Sequence, residues 1–496
     1  TMLESLLTVI QPVNLMWIVI GSVVGAIIGA LPGLTATMGV ALFIPLTFAM
    51  EPASGLILLA AVYAAASFGG NITAILIKTP GTPDSFFMVM DGYPMTLKGE
   101  GRKAMSVTTI TATIGGVVGA LTLLFLAPPL ASLAIKFGPA QTFLTSMLGI
   151  TIIIGLSKGA MLKGMLSACL GFLLATVGMD SVAANLRFTG GVLELYEGIP
   201  MIPCVIGLFC CAQVFSLAAS RKKQIAIPND AVAGKTGLTL KEFFQHLWIT
   251  IESSIIGTIV GIIPAAGSMV ACGLSYSEAR RQSKNPDLFG DGAPDGLAAV
   301  SAANNAVVGG SLVPLLTLGI PGNGTAAVFL GGLLIHGMVP GPDLFSQHAE
   351  ATYSLLFGLI ACQFVILVIG LFGAGLFSKV TSIPNSVLVP LIAVFTVLGS
   401  FAIRGMLFDV FLMILFGAIG YYAERSRISM APFVLAFILG PIVEKQFRRA
   451  MMLMASGDTG IFTNPLSLFL LALNILCLLT PFINEIKDRM AKKKEA

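Results

Sequence analysis

Apolar stretches long enough to cross a bilayer recur from one end of this chain to the other. Ala104–Leu126, for instance, has no charged side chain, and a helix needs about 20 such residues to span the hydrocarbon core. Of the 496 residues, 56% are hydrophobic and 10% charged, with a mean hydropathy of +0.94. A usual soluble domain is roughly 25% charged. The composition therefore implies an all-α polytopic membrane protein. The 55 Gly and 22 Met suit close helix packing in lipid. The net charge of +4 is small and sits in loops, which excludes nucleic acid as a partner.

Two stretches depart from simple spans. SFGGNITAILIKTPGTPDSF (67–86) has a glycine pair, Gly69–Gly70, that is expected to break the apolar run. A short apolar arm follows, and then Pro80, Gly81, Thr82 and Pro83 stop helix propagation. VVGGSLVPLLTLGIPGNGTAAV (307–328) has the same plan, with Gly309–Gly310, an arm, then Pro321, Gly322, Asn323, Gly324 and Thr325. Paired broken segments in two halves of a chain point to the binding site of a secondary transporter.

Other spans are expected at Asn14–Leu31, Leu34–Met50, Pro139–Leu156, Ala160–Val177 and Ile199–Ala219. In the second half they are expected at Trp248–Ile263, Ala265–Ser277, Thr325–Val339, Thr352–Phe377, Asn385–Ile403, Met406–Tyr422, Met430–Ile442 and Leu466–Phe482. Not every run is taken as a separate crossing: with the broken segments counted as spans or re-entrant pieces, roughly 12 to 14 transmembrane segments are expected. The N-terminal region has no basic n-region and no small-residue cleavage site, so the first span is expected to be retained. The seven Cys lie in apolar segments without metal-ligand spacing and are expected to be reduced and buried.

Gly25-x3-Gly29-x2-Pro32 recurs as Gly257-x3-Gly261-x2-Pro264, in the same order relative to the glycine pairs and Pro-Gly tips. An internal repeat follows, with residues 1–219 as the first unit, 220–246 as a connecting loop, and 247–496 as the second unit plus C-terminal helices. Arg221, Lys222 and Lys223 place the connecting loop in the cytoplasm, with the basic C-terminal tail. The first 50 residues carry no Lys or Arg, so the N-terminus is expected outside. The loop after the first broken segment is basic, whereas its counterpart at Pro340–Glu350 has none and carries Asp343 and Glu350. Corresponding loops then fall on opposite sides, as an inverted repeat requires.

Backbone that leaves a helix at membrane depth must line a cavity or be buried in protein. Its freed N–H groups can hold an anion, and its carbonyls with Asn or Thr oxygens can hold sodium. Candidate substrate contacts are Asn71, Lys78, Thr79, Pro80, Gly81 and Thr82 on the first segment. On the second they are Asn304, Asn305, Pro321, Gly322, Asn323, Gly324 and Thr325. Candidate coupling-ion positions are Gly69, Gly70, Asp84, Ser301, Gly309, Gly310 and Ser311, the ion being sodium or a proton. Each has a plainer alternative: the glycines as packing devices, Lys78 as a snorkelling helix end, and Asp84 as a cap. Asp409 fits the first turn of a helix. His246, His336 and His348 are isolated, so no metal site is expected beyond a sodium. GxSxG, HExxH and a P-loop are absent from the sequence, so neither enzyme chemistry nor direct ATP hydrolysis is expected.

These residues resemble the large membrane subunit of the tripartite tricarboxylate transporter family, the TctA-like proteins. The carrying motifs are GALPGL (29–34), YAAASFGGNITAILIKTPG (63–81), DGYPM (91–95), FGPA (137–140), LATVGMD (174–180), GIIPAAG (261–267), AANNAVVGGSLVPLLTLGIPGNGT (302–325), GMVPGPDLF (337–345) and FVLAFILGPIVEKQFRRA (433–450). The resemblance implies a bacterial inner-membrane permease working with a small four-span membrane subunit and a periplasmic solute-binding protein. It also implies uptake of a di- or tricarboxylate driven by an ion gradient, usually sodium. The chain departs from the family pattern at Lys78, commonly Asn, at Ala265, commonly Gly, and at Val300–Ser301, commonly Pro-Glu. Both the gained Lys and the missing acid shift the site towards positive charge and a more anionic substrate. A stand-alone carboxylate symporter and a channel are the rival readings; an intramembrane enzyme lacks a paired nucleophile and base.

Overall fold

The structure, a computed structural model, describes residues 2–31, 33–134, 137–155, 161–180, 185–219, 240–264, 267–373, 377, 383–456, 464–477 and 479. Of the expected connecting loop 220–246, residues 220–239 lie outside these residues, as do Ala265 and the basic tail, whereas Leu240–His246 is not loop but the start of a helix that runs to Ile262. Helices dominate, and a two-residue-per-strand hairpin (β1 Gly178–Met179, β2 Leu186–Arg187) is the single sheet among the described residues.

The first half runs α1 (Met2–Ile10), α2 (Pro12–Ala30), α3 (Ala36–Thr47), α4 (Pro52–Ile77), α5 (Phe86–Leu97), α6 (Gly101–Ala134), α7 (Pro139–Gly155), α8 (Met161–Ala175) and α9 (Met201–Ala219). The second runs α10 (Leu240–Ile262), α11 (Gly267–Gln282), α12 (Pro294–Leu318), α13 (Gly324–Ile335), α14 (Pro342–Ser346), α15 (Ala349–Phe372), α16 (Asn385–Arg404), α17 (Leu407–Arg425), α18 (Ala431–Ala455) and α19 (Pro465–Cys477). Eight helices among the described residues are long and apolar enough to cross a membrane. Several expected spans are instead short apolar helices, including α3, α8, α13 and α19.

The centre is built on α4 and α12. Their most apolar windows are 94% and 100% buried, against 22% for α16, which places α4 and α12 inside the bundle and leaves α16 on its outer face. Around them pack α2, α6, α10 and α15; α7, α8 and α18 form one flanking group, and α9, α16 and α17 another. Five of the seven cysteines are buried as expected, but Cys169 on α8 is exposed.

The glycine pairs do not break their helices. α4 runs unbroken through Gly69–Gly70, and α12 through Gly309–Gly310. Their role is close backbone approach. A Cβ at Gly69 would strike the Ala26 carbonyl of α2, and one at Gly309 would strike Gly119 of α6. The repeated Gly-x3-Gly motifs do the same. Gly25 and Gly29 face the carbonyls of Val62 and Ala66 on α4, while Gly257 and Gly261 face those of Ala303 and Val307 on α12. Small residues let backbones approach where lipid supplies no hydrophobic drive between helices.

Loop contacts sort the ends of the bundle. Thr8 Oγ1 donates to Glu350 at 3.0 Å, and Ser354 Oγ donates to the Ser5 carbonyl at 3.4 Å. Gly55, near the start of α4, lies beside His336 of the same group. At the other end of α4, Thr96 bonds the Ile75 carbonyl, and the ion pairs Lys98–Asp291 and Lys103–Glu242 gather with the His246–Asp295 hydrogen bond. The loop after α5 and the Pro340–Glu350 loop therefore lie at opposite ends of α4. Asp91, fully buried on α5, accepts from the N–H groups of Gly290, Gly292 and Ala293 and staples the turn that leads into α12.

Candidate functional site

Both central helices end in the same way. Lys78 caps α4 at φ 57°, ψ 21°, and Gly319 caps α12 at φ 72°, ψ 16°. The left-handed cap turns the chain back on its helix. In the first tip, Gly81 N–H then reaches the Gly70 carbonyl at 3.3 Å; in the second, Gly322 N–H reaches the Ser311 carbonyl at 3.3 Å. The tips thus fold against the glycine-bearing turns of their own helices. Gly81 also packs on the Gly29 carbonyl, and Gly322 on the Gly261 carbonyl. No side chain fits at either position, which explains why Pro-Gly occurs in both tips.

The second tip is held from several sides. Asn323 caps α13, its Oδ1 accepting from Ala326 N–H at 2.8 Å. Its Nδ2 donates to the Tyr63 hydroxyl of α4 at 2.7 Å, and that hydroxyl lies 3.0 Å from Ser311 Oγ. Thr325 Oγ1 meets Thr37 Oγ1 of α3 at 2.8 Å. Gly324 faces open space, so the first turn of α13 has an unobstructed side. At the first tip, Thr82 lies against Gly70, Ser85 Oγ donates to the Thr82 carbonyl at 2.7 Å, and Asp84 faces the Ser268 hydroxyl of α11.

Between the tips, Asn304 Nδ2 donates to the Ser67 carbonyl of α4 at 3.1 Å. Its Oδ1, both amide ends of Asn71 and both of Asn305 have no hydrogen-bond partner, although all three residues are buried. Buried polar groups are normally paired, so these orphans require a ligand, an ion or water. Ser301 donates to the Thr108 carbonyl of α6 at 2.7 Å and ties helices together.

The structure brings Asn323 and Ser311 to Tyr63, pairs Thr325 with Thr37, sets Asp84 on the first tip, and places Asn71 and Asn304 on α4 and α12 where these helices meet. Thr79, Pro80, Gly81 and Thr82 form the first tip; Pro321, Gly322 and Gly324 complete the second. Gly69, Gly309 and Gly310 are covered by neighbouring backbone. Lys78 lies apart from this group. It is exposed, and its ammonium sits 5.7 Å above the Tyr93 ring of α5. Sequence reasoning missed Tyr63, Thr37 and Ser268. A signal for Tyr63 was present: Tyr63, Ser67 and Asn71 recur every fourth residue on one helix face.

A cavity of about 910 Å³ opens beside the second tip. It is lined by Gly319, Leu334, Pro340, Arg187, Glu444 and Lys445 among others. Arg187 grips Glu444 through two hydrogen bonds of 2.8 and 3.0 Å, joining the β-hairpin to α18 at the cavity wall.

Among known proteins, an uncharacterized 52.8 kDa protein in the TAR-I ttuC' 3' region of Agrobacterium vitis is 34% identical over 487 residues, covering 98% of this chain and 96% of the relative. A second uncharacterized protein, in the TAR-II ttuC' 3' region of the same organism, is 35% identical over 234 residues, covering 47% of this chain and 96% of the relative. No solved structure matches. The model of the tripartite tricarboxylate transporter TctA family matches residues 15–435. With the matched tips and the whole-length relative, this match makes the chain a member of the tripartite tricarboxylate transporter TctA family.

Proposed function

We propose that this chain is the permease subunit of a tripartite carboxylate importer in the bacterial inner membrane. It carries a di- or tricarboxylate, delivered by a periplasmic solute-binding protein, down a coupled gradient of sodium or protons. A small four-span membrane subunit completes the assembly. The N-terminus faces the periplasm and the C-terminus the cytoplasm, and the halves 1–219 and 247–496 are inverted repeats joined through 220–246.

The observation that carries this reading is the pair of matched helix-terminating tips at the centre of the bundle, one closing on Gly70 of α4 and the other on Ser311 of α12 and bonded to Tyr63 of α4. The second tip offers donors: the second N–H of the Asn323 amide and the N-terminal N–H groups of α13, with the Tyr63 and Ser311 hydroxyls holding the amide in place. Such a set suits a substrate carboxylate. The first tip offers a carboxylate, Asp84, beside Ser268, which suits the coupling cation. Matched glycine contacts of α2 on α4 and of α10 on α12 support the repeat, and the cavity beside the second tip serves as the vestibule. Transport follows from moving the tip-bearing core against the flanking helices.

The test is uptake into proteoliposomes containing this chain and the small subunit, with binding protein outside. Labelled citrate, tartrate and succinate are each offered with an inward sodium gradient. Accumulation against the substrate gradient that stops when sodium and pH gradients are dissipated is expected. Uptake that is downhill only and indifferent to both gradients supports a channel instead.

A further inference from the structure

A buried polar seam joins the two tips. On α4 it consists of Tyr63, Ser67 and Asn71, spaced four residues apart and so stacked on one face. On α12 it consists of Asn304 and Ser311. Tyr63 bonds Ser311 and, at one end, Asn323 of the second tip. One turn along α4, Ser67 accepts from Asn304. One turn further, Asn71 follows Gly70, which seats Thr82 of the first tip. A helical side chain leans back towards the helix N-terminus. The Asn71 amide therefore inclines towards the turn where the Asn304 amide docks.

At this point hydrogen bonding stops. Asn71 Oδ1, Asn71 Nδ2 and Asn304 Oδ1 are all unpaired, and both residues are 0% exposed. The neighbouring Asn305, 1% exposed, has the same deficit. Tyr63, Ser67, Asn71, Asn304 and Ser311 are all uncharged. Neutral amide oxygens without donors, on adjacent turns of two packed helices, are the ligand chemistry of a hard cation.

We propose that the Asn71 and Asn304 amide oxygens bind a sodium ion at the α4–α12 crossing, midway along the seam. This deepens the transport reading and rests on it for the ion's role in uptake. An amide presents its oxygen to a cation, so both side chains turn Oδ1 towards the ion. The cage is neutral, so the ion brings its full charge into the core.

Sodium binding is read on the purified full-length chain in lipid nanodiscs. The melting temperature is followed against sodium chloride, with potassium chloride holding ionic strength constant. A saturable sodium-specific rise is expected for the wild type. Asn71→Leu removes the rise while melting in potassium no lower than wild type, because it deletes an unsatisfied buried amide. Asn71→Asp, which loses no hydrogen bond because both amide ends are unpaired, adds charge to the cage and lowers the sodium midpoint at least ten-fold. Should Asn71→Leu fail to fold, Asn71→Ser, which shortens the ligand, raises the midpoint at least ten-fold. A wild type indifferent to sodium, or an unchanged midpoint in the folded Asn71 variants, overturns the site and leaves water as the seam's occupant. The binding measurement needs no transport, so absence of carboxylate uptake by the wild-type assembly would count against the transport reading alone.

Discussion

The Tyr63 hydroxyl accepts a hydrogen bond of 2.7 Å from Asn323, tying the middle of α4 to the second tip 260 residues later. The contact crosses from one half of the chain to the other. It fixes the tip that caps α13 to a helix whose surroundings are almost fully buried.

Tyr63→Phe removes the acceptor and leaves the Asn323 amide short of a partner. The cost is about 1–3 kcal/mol for an unsatisfied buried donor. A lower melting temperature and a roughly ten-fold weaker apparent carboxylate affinity in proteoliposomes are expected, taking about 1.4 kcal/mol per ten-fold. Unaltered melting and uptake would mean that the tip is held by other contacts.

Lys78 sits in the left-handed region, which costs a non-glycine residue about 1–2 kcal/mol. Its ammonium stands over Tyr93 rather than in the tip cluster. Lys78→Gly should therefore raise thermal stability or leave it unchanged, and Lys78→Asn should alter uptake less than about two-fold, about 0.4 kcal/mol. A large loss of substrate affinity in Lys78→Asn would return this residue to the site.

Tip glycines differ in the room around them. A Cβ at Gly322 would lie 2.6 Å from the Gly261 carbonyl oxygen, whereas one at Gly324 meets nothing within 4 Å. Gly322→Ala should lose folded protein or transport. Gly324→Ala should be tolerated and should stabilise the start of α13 by up to about 1 kcal/mol. Size-exclusion profiles and melting curves of the two variants separate these outcomes.

Asp409 is fully buried and pairs with Arg404 across the α16–α17 turn. Removing one partner strands a charge at a cost of about 3–5 kcal/mol. Asp409→Ala should therefore melt well below wild type. The double variant Arg404→Met/Asp409→Leu should recover most of the loss, and equal melting of the single and double variants would show that the ion pair is not the cause.

Much was legible in the sequence because lipid leaves few choices. Long uncharged runs must be helices, Pro-Gly must end them, and a repeated Gly-x3-Gly must let something approach closely. From these rules the chain alone determined a polytopic helical bundle with two tips in matching places. It did not determine what the glycines approach. Gly69–Gly70 reads as a break along the chain, yet it is a continuous helical turn, because the neighbouring backbone needs the missing Cβ.

Only tertiary structure decided which polar groups meet. Tyr63 and Asn323 are joined by the crossing of two helices from different halves, and no local propensity encodes that crossing. Lys78 is turned outward by the left-handed cap, whereas Gly81, three residues on, returns to the Gly70 carbonyl with the tip. Hydropathy and breaker residues act locally and can be read along the chain. The pairing of buried amides and hydroxyls depends on how helices pack, and packing assembled the seam from Asn71 to Asn323.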